Sequence, residues 1–423
     1  MTASTLQPAI NVLPSKKTPI ILSAIAVIVF FCFGLLGNSD SAHFQLNSAG
    51  DAFKLPELVF PGKASNIVIG LLLIGVAVYS WLQRKKNKTV ATWMIAIAAI
   101  LFVLSFLIWV VAGADITTIS LASLLAGAVV LAVPLVFGSL SGVLCERAGV
   151  VNIAIEGQLL GGAFTAALVS SLTKNAFAGL IAAGIAGALV SLILALFSIK
   201  YVVNQIIVGV VLNVLVSGIT GFLFTTVMQE DPELYNKPVH LPVIDIPGLS
   251  AIPVIGPILF KQSVIGYLMY LAVFIVWFGL FKTKWGLRVR AVGEHPKAAD
   301  TLGIKVNRTR FWNVTLGGIV AGIGGSFFTL VAIDSFTKEI SGGRGFIALA
   351  AVIFGRWNPI GAFLAALLFG FADNLQVILT IIGTPVPSQF MAMMPYLVTI
   401  FAVAGLVGRS RGPAAAGEPY VKE

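Results

Sequence analysis

Residues that could carry out chemistry are few and scattered in this sequence. The three histidines, His43, His240 and His295, all fall in stretches that we predict to be loops. Cys32 and Cys145 offer neither a disulfide framework nor a metal-ligand spacing. GxxxxGK[ST], HExxH, CxxC and GxSxG motifs do not occur. The sequence therefore predicts a protein that is not an enzyme, with no catalytic residues, no metal site, no bound cofactor and no ATP site of its own.

Two carboxylates stand out because they lie within apolar runs. Glu156 is near one end of its run, and Asp373 is near the other end of a later run. Ionisable groups inside membrane segments are often functional. A carboxylate near the end of a span can also be a hydrated structural partner, and the sequence leaves both interpretations open.

The composition determines what kind of elements must position these residues. Of 423 residues, 58% are hydrophobic and 10% are charged, and the mean hydropathy is +0.99. Such a chain has too little polar surface to cover a soluble globule, so we predict an all-α, polytopic membrane protein. The net charge of +10 comes from basic residues beside the apolar runs. Positive-inside topology explains that placement, and no nucleic-acid partner is expected.

The apolar runs predict about 12 transmembrane helices with both termini in the cytoplasm. The first run follows a long polar tail and no convincing cleavage site follows it, which favours a retained helix over a signal peptide. Most runs have the roughly 20 residues needed to span a bilayer. They cover residues 20–36, 65–82, 91–112, 116–140, 150–172, 177–198, 205–227, 263–281, 312–333, 346–355, 360–382 and 390–407.

One of these runs is too short to be an ordinary span. Gly342, Gly343 and Gly345 precede only about ten apolar residues. Because the basic residues after the last run place the C-terminus inside, the count of crossings requires this piece to cross as well. We therefore predict a broken helix near 342–355, with irregular glycine-rich backbone lining a cavity.

Two long loops differ in character. Residues 228–262 contain six prolines, which deny a long helix and predict an ordered extracytoplasmic cap of short turns. Residues 282–311 are strongly basic and are therefore predicted to be cytoplasmic. Within them, Pro296 can begin a short helix that Gly303 ends. This helix could dock a soluble partner, and a solvated connector is the alternative.

Small and polar residues within the spans suggest packing sites and a transport route. The glycine pairs at 138/142, 157/161 and 318/322 predict close helix packing. No lysine or arginine lies in the middle of a predicted span, which favours a neutral solute over an anion. The polar candidates for the route, each of which could instead be satisfied within the bundle, are Asn152, Gln158, Gln205, Asn213, Asn374 and Gln376.

Three stretches resemble the permease subunit of bacterial ABC importers of the ribose and nucleoside branch. They are ERAGVVNIAIEGQLLGGAF at 146–164, WGLRVRAVGEHPKAADTLGI at 285–304 and GGRGFIALAAVIFGRWNPIGA at 342–362. The resemblance covers about residues 117–409. It implies a ten-helix permease core with two added N-terminal helices, and domains at 1–115 (extension and first core helix), 116–410 (core) and 411–423 (cytoplasmic tail).

The resemblance also implies roles for particular residues and partners. A cytoplasmic ABC ATPase, which binds ATP and Mg²⁺, would dock on a coupling helix formed by Gly293, Glu294, Pro296, Ala298, Ala299 and Gly303. The cytoplasmic end of the pathway would contain Asn152, Glu156 and Gly157. Further partners would be a second related permease, an extracytoplasmic substrate-binding lipoprotein and the lipid of the bacterial cell membrane. The implied function is inward transport of a nucleoside.

Other functions stay open at this point. A ribose or simple-sugar ABC permease is the nearest alternative to a nucleoside permease. An ion-coupled secondary transporter would use Glu156 or Asp373 as a proton site and often shows inverted repeats, which are not evident here.

Overall fold

The computed structural model describes residues 16–47, 55–383, 393 and 412–422. Ten helices in these residues are long and apolar enough to cross a membrane, which confirms a polytopic, mainly helical protein. The predicted helix at 390–407 lies, except for residue 393, outside the described residues. The ten spans are α1 Lys17–Leu35, α2 Gly62–Lys85, α3 Thr92–Ala112, α4 Leu121–Arg147, α5 Ile155–Thr173, α6 Ala176–Lys200, α7 Gln205–Met228, α10 Val264–Lys282, α13 Val306–Ala332 and α15 Pro359–Ile381.

Shorter elements connect the spans. The segment predicted to be a broken helix forms an 11-residue helix, much shorter than a span. The predicted cap at 228–262 consists of short helices and a two-stranded sheet, in agreement with its proline content. The short helices are α8 Pro232–Tyr235, α9 Ile255–Leu259, α11 Lys284–Glu294, α12 Pro296–Thr301 and α14 Arg344–Phe354. The strands are β1 Ser41–Gln45, β2 Leu58–Pro61, β3 Thr118–Ser120, β4 Val243–Asp245 and β5 Lys261–Ser263.

One compact unit comprises residues 1–46, 54–121 and 377–391. Its described part contains α1 to α3 and a sheet in the order β2-β1-β3, with β1 antiparallel to β2 and parallel to β3. Buried Asn66 on α2 donates to the carbonyl of Phe33 at 3.3 Å and accepts from the hydroxyl of Ser105 at 2.7 Å. One amide therefore links all three helices, beside further contacts such as the hydrogen bond from the Trp81 indole N–H to the Ser23 hydroxyl at 3.1 Å. None of the three strands was predicted: residues 38–63, which contain β1 and β2, were predicted to be a loop, and β3 lies in the run 116–140, which was predicted to be helical.

The second unit comprises residues 47–53, 122–376 and 392–423. Its centre is the packing of α5, α6 and α13. A Cβ on Gly162 would overlap the carbonyl oxygen of Gly322, and one on Gly187 would overlap that of Gly318. Such close approach of backbones gives helices the packing contacts that hold them together in lipid. The predicted packing role is confirmed for Gly318 and Gly322.

Two helix boundaries differ from the prediction in a way that shapes the site. The fourth helix continues to Arg147 instead of residue 140, and Gly149, whose φ is +89°, follows its end. The fifth helix consequently begins at Ile155 instead of residue 150, and Glu156 falls in its first turn. Residues 148–154 therefore form a turn, a feature that hydropathy does not detect.

Candidate functional site

The carboxylate of Glu156 holds the glycine-rich turn that precedes α14. It accepts hydrogen bonds from the hydroxyl of Ser341 at 2.6 Å, the backbone N–H of Gly343 at 2.8 Å and the N–H of Gly345 at 2.6 Å. Gly342 and Gly343 have φ of +55° and +79°, which favours glycine at both positions. The carboxylate thus lies at the N-terminus of α14, where a negative charge is favoured by the helix dipole.

A cleft of about 610 Å³ opens beside this turn. Three elements surround it, namely α5, α7 and the segment that leads into α14. Its wall combines carboxylates, hydroxyls, an amide and apolar side chains. The lining residues are Glu156, Leu160, Asn213, Val214, Ser217, Gly218, Glu339, Ser341, Gly342, Gly343 and Phe346.

Polar and apolar groups face one another across this cleft. The hydroxyl of Ser217 donates to Oε1 of Glu339 at 3.2 Å, and the Glu339 side chain is exposed. Glu339 has a φ of +55°, an uncommon backbone conformation for a residue with a side chain. The ring of Phe346 is 51% exposed. The arrangement offers hydrogen-bond acceptors beside a flat apolar surface.

Asn213 fixes the relative position of two walls of the cleft. Its Oδ1 accepts from the N–H of Gly157 at 2.8 Å, and its Nδ2 donates to the carbonyl of Ile153 at 2.9 Å. Both backbone groups lie at the start of α5, where a helix leaves N–H groups without intrahelical partners. A side chain on α7 therefore supplies part of the cap of α5.

Three other predicted pathway residues lie inside the bundle. Asn152 and Gln158 exchange hydrogen bonds at 3.1 and 3.3 Å, and Gln158 also donates to the Ser191 hydroxyl at 2.8 Å. Oε1 of Gln205 accepts from the N–H of Val151 at 2.7 Å. All three side chains are buried, and none lines the cleft.

The remaining polar candidates are on α15. Asn374 donates to the carbonyl of Leu124 at 2.7 Å and packs against Gly127, so it joins α15 to α4. Gln376 is half-buried. Asp373 lies 4.0 Å from the guanidinium of Arg344. Glu156 and Asn213 both line the cleft, and Gly157 donates to Asn213 from behind its wall, whereas Asn374 does not reach the cleft.

The short helix predicted to begin at Pro296 is present as α12, but Gly293 and Glu294 belong to the end of α11 and Gly303 lies beyond α12, so the six predicted coupling residues do not form one helix. Pro296 occupies the first turn of α12, and Nδ1 of His295 accepts from the N–H of Ala298 at 3.4 Å. The helix ends before Gly303, whose φ is +80°. Val292, Ala299 and Val306 form a small buried cluster that anchors α12 to α11 and α13.

A second contact seats this segment on the membrane helices. A Cβ on Gly293 would overlap the carbonyl oxygen of Arg147, at the end of α4. The Arg147 side chain in turn donates to the carbonyl of Trp357, just after α14, at 2.8 Å. Backbone and guanidinium contacts therefore connect the end of α11, just before α12, through the end of α4 to the turn after α14.

The chain's last described residues lie along the same segment. The N–H of Ala415 donates to the carbonyl of Gly293 at 2.9 Å, and the N–H of Ala414 donates to the carboxylate of Glu294 at 3.2 Å. Lys422 pairs with Asp300 at 3.7 Å. The sequence predicted only a cytoplasmic tail here, since nothing in its composition indicates a partner.

Sequence reasoning also missed Ser217, Glu339 and Ser341. Glu339 follows Asp334 and Lys338 in an ordinary polar connection, and serines are common in membrane helices, so no signal distinguished them. Among the described residues, no group of three or more His, Cys, Asp or Glu side chains could hold a metal ion.

Comparison with known proteins identifies a family and several relatives that this chain resembles. The family model "Branched-chain amino acid transport system / permease component" matches residues 123–403. The guanosine ABC transporter permease protein NupQ of Bacillus subtilis (strain 168) is 42% identical over 69% of this chain and 94% of its own length. The nucleoside ABC transporter permease protein NupC of Lactococcus lactis subsp. cremoris (strain MG1363) is 37% identical over 71% of this chain and 96% of its own.

A more distant relative comes from the first of these organisms. The guanosine ABC transporter permease protein NupP of Bacillus subtilis (strain 168) is 26% identical over 64% of this chain and 78% of its own length. No solved structure matches the chain significantly.

Proposed function

Because the chain belongs to the permease-component family of the branched-chain amino acid transport system, we propose that it is the membrane subunit of an ATP-driven ABC importer for nucleosides. The observation that carries this proposal is its 42% identity to a guanosine permease along nearly the whole length of that protein. The matched family region includes both the cleft and the coupling segment.

The chemistry of the cleft supports a neutral, amphipathic cargo. Asn213, Ser217 and Glu339 offer polar groups for the hydroxyls of a ribose, and Phe346 and Leu160 offer apolar surface for a base. Two carboxylates in the lining disfavour a phosphorylated sugar, because like charges repel at short range. The cleft accordingly suits a nucleoside better than a nucleotide.

Coupling to ATP would use α12 and the contacts that the end of α11, directly before it, makes with the membrane helices. A partner ATPase, which binds ATP and Mg²⁺, would move α12 when it closes. Gly293 would transmit that movement to the end of α4, and Arg147 would carry it to the turn after α14. Because Glu156 joins the start of α14 to α5, the same movement would reach the cleft.

The proposed transporter contains further subunits, and it requires one particular orientation of this chain in the membrane. Two guanosine permeases of one organism, NupQ and NupP, both resemble this chain, which supports pairing with a second related permease. The basic character of residues 282–311 supports an orientation in which the coupling segment and both termini would face the cytoplasm of a bacterial cell. The cap at 228–262 would then face outward and receive the substrate-binding lipoprotein.

The test is uptake by the complete complex in sealed vesicles, with ATP inside and the binding protein outside. Labelled guanosine and uridine are expected to accumulate, whereas ribose is not. Transport of ribose alone would replace the nucleoside assignment by the sugar alternative. Uptake that continues without ATP but stops when the proton gradient is collapsed would indicate an ion-coupled transporter instead.

A further inference from the structure

We propose that the basic cleft between α11 and the start of α13 binds the headgroup of an anionic phospholipid with a headgroup hydroxyl, the chemistry of phosphatidylglycerol. The cleft measures about 760 Å³ and is separate from the one beside Glu156. It is lined by Trp285, Arg288, Leu302, Gly303, Ile304, Lys305, Arg308, Thr309, Trp312 and Asn313.

The position of the cleft matches the depth of a lipid headgroup. One of the flanking spans ends at Lys282, and the other begins at Val306. Trp285 lies just outside the first span, and Trp312 lies in the second turn of the other. Tryptophan is enriched at this boundary because its ring packs on acyl chains while its N–H reaches headgroups. The ring of Trp312 is 54% exposed, as a side chain facing lipid would be.

The charge of the cleft matches a phosphate. Arg288, Lys305 and Arg308 are exposed. Within the part of the chain that the structure describes, the ion pairs involve other cations, such as Lys261 with Asp245. Three cations around one cavity, with no carboxylate in its lining, provide a site for a phosphate diester.

An unsatisfied buried group indicates that the ligand carries a donor as well. Asn313 is fully buried, and its Nδ2 donates to the carbonyl of Thr309 at 2.7 Å. Its Oδ1 accepts no hydrogen bond from any described residue. A buried acceptor without a partner is costly, so a ligand that supplies an O–H stabilises the site. The terminal glycerol of phosphatidylglycerol supplies that hydroxyl.

A soluble acidic protein fits the cleft less well. Leu302, at the edge of the cleft beside α12, is 81% exposed and belongs to the segment that we propose to contact the ATPase. The Trp312 ring, by contrast, belongs to a membrane span, where a soluble partner does not reach. The cleft therefore favours a lipid over the ATPase.

The test uses the purified full chain in detergent and native mass spectrometry with phosphatidylglycerol and phosphatidylcholine of identical acyl chains. Wild type is expected to retain phosphatidylglycerol selectively. The variant Arg288→Gln/Lys305→Gln/Arg308→Gln is expected to bind it roughly a hundredfold more weakly, since each cation contributes about fivefold near an anionic surface. The matched control Lys85→Gln/Lys86→Gln/Lys88→Gln removes three exposed cations beside another span and is expected to keep wild-type retention.

Further measurements in the same experiment distinguish the possible ligands. Asn313→Leu is expected to weaken the binding of phosphatidylglycerol by roughly fivefold. Its binding of phosphatidic acid, which lacks the headgroup hydroxyl, is expected to stay unchanged. The proposal would be overturned if wild type and the triple cleft variant retained phosphatidylglycerol equally. It would also be overturned if the Lys85/Lys86/Lys88 control lost as much phosphatidylglycerol as the cleft variant. Full competition by glycerol 3-phosphate would show a site for a soluble anion. Loss of the ATPase from the cleft variant in lipid-free detergent would assign the surface to that partner. None of these measurements depends on transport, so the proposed cargo can fail without affecting them.

Discussion

Replacing Glu156 with glutamine removes the acceptor that holds the glycine turn before α14. The change preserves the size of the side chain but leaves one acceptor oxygen and one NH₂ group where two carboxylate oxygens received three donors. The NH₂ group must face a donor, either the N–H of Gly345 or the pair from Ser341 and Gly343. Hydrogen bonds to a charged group contribute about 1.5–3 kcal/mol each.

Loss of one or two of these bonds is expected to destabilise the turn by about 2–4 kcal/mol. At about 1.4 kcal/mol per factor of ten, amide exchange in the peptide containing Gly343 and Gly345 should accelerate by roughly 30- to 1000-fold. Hydrogen exchange with mass spectrometry measures this directly, and nucleoside uptake should fall in parallel.

Glu339→Gln is the matched control for this experiment. Glu339 lines the same cleft and is also a glutamate, but its carboxylate accepts from the Ser217 hydroxyl and not from the turn's N–H groups. Its replacement is expected to leave exchange of the turn unchanged. Wild-type protection of Gly343 and Gly345 in Glu156→Gln would refute the assignment of this carboxylate as the group that orders the turn.

Three other predictions concern coupling, topology and packing. Glu294→Lys is expected to leave the protein in the membrane but abolish ATP-driven uptake, because it reverses a charge on the proposed docking segment and on the contact with the C-terminal residues; normal uptake at normal expression would contradict this. In a variant without the two native cysteines, Leu249→Cys, 42% exposed in the cap, should react with an impermeant thiol reagent added outside intact cells. Labelling that requires permeabilisation would reverse the proposed orientation. Gly162→Ala is expected to lower stability by about 1–3 kcal/mol, since its Cβ would overlap the carbonyl of Gly322. In thermal unfolding, the control Gly221→Ala, which meets no atom within 4 Å, should match or exceed wild type, and equal destabilisation by both variants would argue against the close packing.

Hydropathy, proline and glycine positions determined much of the architecture from the sequence alone. The ten long spans, the short helix after the glycine turn and the helix α12 that begins at Pro296 all follow from patterns within a few dozen residues. These features are local, because bilayer thickness sets span length and proline and glycine restrict the backbone at their own positions. The domain division at 115/116 and 410/411 stays a prediction.

The partners of individual polar groups were decided only by tertiary structure. Glu156 and the turn it holds are separated by 185 residues or more, and Glu294 and Ala414 by 120. The sequence marked Glu156 and Asn152 equally as polar residues of the pathway, yet one lines a cleft and the other is buried in a hydrogen-bond network. The reason is physical: a polar side chain in a membrane helix must find a partner, but which neighbouring helix supplies it depends on packing that no local pattern encodes.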